Sequence, residues 1–179
     1  FSTRRSALSP GASENILYFP NWETAPYEKS SPYTEISANR LLVLDSLLNN
    51  TAEIVLVTPE SLLQRFMSKN ELKEKVQKIE VGMEIQKEKF LESLLSCGYQ
   101  NRDIVEEKGD FSSRGCIVDV YTSLIKNPLR IEFFGDEIIS IREFDLYTQK
   151  STNRVNQANI LPAREVFYNP DSGKRIIEE

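Results

Sequence analysis

The 179 residues suffice for one ordinary domain or two small ones, and a chain that is 40% hydrophobic and 27% charged has a soluble globular composition. Its net charge of −5, from 22 basic and 27 acidic residues, gives no overall positive field of the kind that drives nonspecific nucleic-acid binding, though local basic patches are compatible with it. With no histidine, Ser-His-Asp and Cys-His nucleophilic sites, His-ligated metals and imidazole acid-base chemistry all drop out, which disfavours most enzyme classes.

The N-terminal FSTRRSALSPGASE lacks a hydrophobic signal core, and no apolar run approaches the length of about twenty residues that crosses a bilayer, so a soluble protein is expected. Asn15 to Phe19 predicts a short strand stopped by Pro20, followed by a loop rich in Pro, aromatic and charged residues. Ser31 is placed as an N-cap and Pro32 at the first helical position. Ile36, Leu41, Leu44, Leu47 and Leu48 then recur at helical spacing until Asn49-Asn50. Ile54 to Val57 is a continuous apolar run, expected of a strand buried on both faces. Thr58-Pro59-Glu60 restarts a helix, with Leu62, Leu63 and Phe66 as its apolar side. This βαβα order predicts a parallel sheet, and two strands are too few for a stable open one, so the rest of that domain is expected elsewhere in a longer chain.

Ser68 to Lys78 is Lys/Glu-rich and is read as an exposed helix or linker at a domain boundary. Ile79 to Val81 then predicts a strand, Gly82 a turn, and the next stretch a helix with Phe90, Leu91, Leu94 and Leu95 inward and Gly98 as its C-terminal stop. Asp103 to Glu106 reads as a short strand. Cys97 and Cys116 follow no zinc-site spacing and suit free thiols in a reducing compartment. Beyond Gln149, the polar KSTNRVNQAN reads as a linker and ILPAREVFY as a strand returning to the first domain.

The segment from Gly109 to Phe144 carries the functional signal. Cys116 to Tyr121 predicts one strand, and Arg130 to Phe134 a second with period-two alternation. Gly135-Asp136 predicts a hairpin turn into a third strand ending at Phe144. Ile131 and Phe133 then share the core face, leaving Arg130, Glu132 and Phe134 on the other. A large aromatic beside an arginine on a solvent face is the pairing enriched among interface hot spots. The plainer alternative makes Arg114 and Arg130 solvated strand-end charges and Phe134 a satellite core residue. Strict pairing across the turn would put Ile139 and Ile141 on the face of Phe134, so the register requires either a bulge or a more apolar face.

None of the seven glycines offers the context of a phosphate-binding loop. Asp110, Asp119, Glu132, Asp136, Glu137 and Asp145 could supply hard-cation ligands, but turn chemistry and ion pairing with neighbouring arginines explain them more simply. Trp22, Tyr27 and Tyr33 could stack on bases in a single-strand groove, or pin the long loop onto the sheet.

The segments FPNWETAPYEKSSPYTEISANRL, VLVTPESLLQRF, GYQNRDIVEEKGDFSSRGCIVDVY and PLRIEFFGDEIISIREFDLYTQKS resemble, in this order, the N-terminal part of bacterial transcription-repair coupling factors, over about Ile16 to Glu165. The same module occurs in UvrB, which carries a long aromatic hairpin near the position of Tyr27 to Pro32; this chain passes straight into the helix there. The resemblance implies an α/β fold: an incomplete, degenerate RecA-like parallel α/β domain (1–76), interrupted by a small α+β domain with a mostly antiparallel sheet (77–157), with a return to the first domain (158–179). It implies a noncatalytic UvrA-recruiting module. The UvrA contact falls on Arg114, Arg130 and Phe134, with Gly115 and Glu132 as candidate supporting contacts, and the face is expected to be masked until the intact protein engages a stalled RNA polymerase. No catalytic or metal residue is expected here. ATP, magnesium, RNA polymerase and double-stranded DNA would be bound by parts of the parent outside these residues, and the location would be the bacterial cytoplasm. The alternative is a UvrB-like fragment that binds DNA directly through the loop aromatics and the Lys-rich linker.

Overall fold

A computed structural model describes residues 16–22, 34–123 and 125–165. The expected cap at Ser31-Pro32 and the aromatics Tyr27 and Tyr33 lie outside them. Strand β1 (Ile16–Phe19) pairs in parallel with β2 (Ile54–Val57) through the crossover helix α1 (Thr34–Leu48). The helix ends where Asn50 takes a left-handed backbone, a conformation asparagine tolerates, while the Asn49 side-chain amide donates to the Asp45 carbonyl. Ala38, Leu41 and Val43 form its buried side.

Two expectations for this region are corrected. The strand expected to be buried on both faces has Ile54, Leu56 and Val57 exposed, because the sheet has two strands and α1 covers one side only among the described residues. Helix α2 (Pro59–Leu63) starts as predicted, with Thr58 and Ser61 closing a reciprocal capping box, but a single turn cannot bury a leucine stripe. Leu62, Leu63 and Phe66 are therefore exposed, and Phe66 stands edge-on to the Phe19 ring at 6.2 Å. The Lys/Glu-rich stretch does form a helix, α3 (Lys69–Lys75), capped by Ser68 and Glu71; its one apolar residue, Leu72, is buried with Leu41, Met67 and Leu161.

Strand β3 (Gln77–Glu80) is followed by α4 (Lys87–Ser96), β4 (Gln100–Asn101), β5 (Asp110–Arg114), β6 (Ile117–Val120), β7 (Leu129–Phe134), β8 (Glu137–Phe144), β9 (Ser151–Val155) and β10 (Gln157–Ile160). Strands β4 to β9 form one sheet in sequential order, antiparallel except for β4 against β5, and β10 pairs antiparallel with β3. Phe90 and Leu94 of α4 pack on one face of the large sheet, against a core that includes Phe111, Val118, Ile131, Phe133, Ile138 and Ile141. Phe90 lies 5.9 Å from the Phe133 ring. The helix stops in a Schellman motif: Gly98, in the left-handed region, donates to the Leu95 carbonyl, and Tyr99 donates to that of Leu94. Leu95, expected inward, is exposed, since an inward stripe through Phe90 and Leu94 turns it toward solvent.

The polar run read as a linker forms β9 and the first residues of β10. An edge strand needs only backbone pairing, and Val155 and Ala158 supply its few contacts to the core. Gln100–Asn101 is the short strand in place of Asp103 to Glu106. That later stretch instead donates two backbone N–H groups, from Glu106 and Glu107, to the Asp110 carboxylate. From Leu161 to Glu165 the chain is not in strand geometry, and Val166 to Tyr168 of the expected strand lie outside the described residues. Leu161 enters the small cluster under α1, and Glu165 meets Arg40. That ion pair is wholly buried, at 2.6 Å, with Arg40 also donating to the Pro20 carbonyl and stacked between Phe19 and Trp22. Trp22 is thus committed to the fold. Among the described residues no helix is long and apolar enough to cross a membrane.

Candidate functional site

The face of the large sheet opposite α4 is set by alternation. Along β7, Leu129, Ile131 and Phe133 are buried, whereas Arg130, Glu132 and Phe134 point away from the core. The register conflict is resolved by a bulge: Phe133 pairs with Ile138 and Glu132 with Ser140, so Ile139 is the extra residue. Ile138 and Ile141 both reach the core, and Ile139 is left partly exposed. Two tight turns lie together at one end of the sheet, each with a left-handed glycine at its first central position, Gly115 between β5 and β6 and Gly135 between β7 and β8. Arg114 flanks the first turn and Phe134 the second, and the Cys116 carbonyl accepts the Phe133 N–H across them at 2.8 Å.

Register places the three sequence-predicted residues on one face. Arg114 pairs with Ile117 and Ile117 with Glu132, so Arg114 shares the side of Arg130, Glu132 and Phe134. Phe134 is 77% exposed; it is not a satellite core residue. The two arginines are not equivalent strand-end charges either. Arg130 donates from Nε and Nη2 to the two carboxylate oxygens of Asp119, at 2.8 and 2.9 Å, and from Nη1 to the Gln149 carbonyl at 3.1 Å. Its guanidinium lies 4.5 Å from the centre of the Phe144 ring. The Asp119 hydrogen bonds raise its pKa further above the usual arginine value. Arg114 makes one 3.1 Å bond to the same carboxylate and keeps a 55% exposed side chain, against 21% for Arg130. Arg114 therefore presents free donors, while Arg130 is first a structural tie with two N–H groups left over.

Gly115 contributes through its backbone: its positive φ forms the turn, a Cβ there would meet nothing, and its carbonyl accepts from the Lys87 ammonium. Glu132 reaches Arg142 at 3.7 Å, a loose and partly exposed pair.

The residue that sequence reasoning missed as an organiser is Asp119, weighed only as a metal ligand. A lone acid between Val118 and Val120 in mid-strand was the available signal, since aspartate is depleted in strands without a partner. Here its buried carboxylate aligns both arginines. Asp110 accepts backbone N–H groups and Asp145 accepts from Thr148, and no set of three or more acidic or cysteine side chains converges on a cation site among the described residues. Both cysteines are free, Cys97 buried and Cys116 exposed in the first turn.

The antiparallel face thus carries an outward aromatic beside two arginines aligned on one buried carboxylate, in a small α+β unit whose class the sequence comparisons identify. Residues 77–166 match the family described as the UvrB interaction domain, and the chain belongs to that family. Its curated relatives are transcription-repair-coupling factors. The Haemophilus influenzae protein is 36% identical over 93% of this chain, the Bacillus subtilis protein 34% over 92%, and the Escherichia coli protein 30% over 88%. The chain spans 14% of the length of each of these three relatives.

Proposed function

We propose that this chain is a noncatalytic docking module that recruits UvrA on behalf of a transcription-repair coupling factor, linking stalled RNA polymerase to excision repair in the bacterial cytoplasm. The observation that carries this reading is Phe134, a large aromatic open to solvent at the end of β7, on the same face as Arg114 and Arg130. Phe134 would fill an apolar pocket of UvrA. Arg114, and the two spare N–H groups of Arg130, would donate to carboxylates or carbonyls around that pocket. Gly115 and Glu132 border the contact. The same reading makes residues 1–76 and 158–179 parts of a degenerate RecA-like domain and 77–157 the insertion, with RNA polymerase, DNA, ATP and magnesium handled by other parts of the parent.

Co-elution of the purified chain with UvrA tests the proposal. A complex is expected at micromolar concentrations, with no ATP hydrolysis by the chain alone. Failure to form the complex, or ATPase activity intrinsic to the chain, would contradict it.

A further inference from the structure

The outward face continues past Arg130. Asp119, Arg130, Arg142 and Arg154 are successive register partners on β6, β7, β8 and β9, so three arginines stand side by side across neighbouring strands. Like charges directly opposite one another destabilise a sheet, and here the compensation fades along the row. Arg130 is clasped by Asp119. Arg142 has only the 3.7 Å approach to Glu132 and a 2.9 Å bond from its Nε to the Ser140 hydroxyl. Arg154, exposed on the edge strand, makes no hydrogen bond or ion pair among the described residues. In a chain of net charge −5, this row sets Arg130, Arg142 and Arg154 against a single carboxylate, Asp119, with Glu132 reached only by Arg142 at 3.7 Å.

We infer that the docking face extends across β8 and β9, where Arg142 and Arg154 receive carboxylates from an acidic segment of the partner protein; this extension rests on the docking reading above. Guanidinium forks match carboxylates in geometry, and an unpaired arginine on an exposed edge costs little until a partner arrives. A protein partner suits this face better than nucleic acid, because Phe134 supplies an exposed apolar anchor on the same face. Exposed charges of this kind act mainly on association rate.

The test is stopped-flow association of the whole chain with purified UvrA at low ionic strength, for wild type, Arg154→Glu, Arg142→Gln/Arg154→Gln and Phe134→Ala, with thermal unfolding of each. The double variant is expected to associate about tenfold more slowly, with the difference shrinking at high salt. Arg154→Glu should also associate more slowly, yet unfold at the same or a higher temperature, since it replaces a like-charge pair with an opposite one. A purely structural role would move stability and not rate. Wild-type rates in both arginine variants, with binding lost in Phe134→Ala, overturn the extension and leave the docking reading intact. No association of the wild type overturns both. Salt-dependent capture of a labelled duplex that the double variant abolishes, with UvrA association unchanged, reassigns the row to phosphates and overturns the inference.

Discussion

Arg130→Ala tests whether Arg130 is a tie within the sheet before it is a contact for a partner. Asp119 is almost wholly buried, and Arg130 gives it two of its three charge-assisted hydrogen bonds. Removing one partner of a buried pair costs about 3–5 kcal/mol, because the remaining charge is stranded away from water. Arg114 still reaches Asp119, which moves the expectation to the lower end, while loss of the contact with the Phe144 ring adds about 0.5–1 kcal/mol. A destabilisation of about 3.5–4 kcal/mol follows, equivalent to about 7–16 °C in Tm for a chain of this size. Urea unfolding of wild type, Arg130→Ala and Arg130→Ala/Asp119→Asn measures it. The double variant should recover about 1–2 kcal/mol, since a neutral amide removes the stranded charge. A loss below about 1 kcal/mol in Arg130→Ala, or no recovery in the double variant, would refute the reasoning. Loss of UvrA binding by Arg130→Ala would in any case mix contact with fold, so Arg114 and Phe134 are the cleaner probes.

Glu165→Gln should cost about 3–5 kcal/mol in the same unfolding assay, because it leaves the Arg40 guanidinium uncompensated where neither side chain meets solvent; an effect under about 1 kcal/mol would show the pair to be dispensable. Tyr99 is buried and its hydroxyl donates to the Leu161 carbonyl at 2.6 Å, and burial pushes its pKa above the usual tyrosine value. An acid with a raised folded pKa adds stability that is complete below the unfolded value of about 10 and is lost as pH climbs toward the folded one. The difference absorbance titration between wild type and Tyr99→Phe should therefore show this phenolate only as the fold is lost; reversible ionisation near pH ~10 in the folded protein would contradict the assignment. Leu94→Ala should cost about 2–5 kcal/mol from the cavity left under the sheet, whereas Leu63→Ala, on an exposed side chain, should stay within about 0.5 kcal/mol.

The strongly periodic parts of the chain were legible in its sequence. The Thr58 cap, the Gly98 stop and the alternation of Arg130 to Phe134 each act through local geometry, and each is found in the structure; α1 also forms, but of the leucines read as its apolar side Leu41 is buried and Leu47 is exposed. That alternation already separated Phe134 from Phe133, one exposed and one buried. Polar strands were not legible. β5 buries Asp110, Ser112 and one aromatic, Phe111, while β9 is almost wholly exposed, so neither shows the apolar pattern from which strands are read. Leu62 and Leu63 misled for the opposite reason, being apolar residues on a helix too short to enclose them. Asp119 and the pair of Arg40 with Glu165 join residues brought together by the fold alone, the latter 125 positions apart, and no local rule points to such partners. The bulge at Ile139 sits between: the sequence left either a bulge or a more apolar face open there, and the structure shows the bulge.

The central claim, that the open face around Phe134 is where UvrA docks, reduces to one ratio: the Kd of UvrA for Phe134→Ala over that for wild type. Phe134 lies outside the core, so the substitution should leave unfolding within about 0.5 kcal/mol of wild type. The account predicts binding weakened by about 2 kcal/mol, roughly 30-fold, at that unchanged stability. A ratio near unity would contradict it.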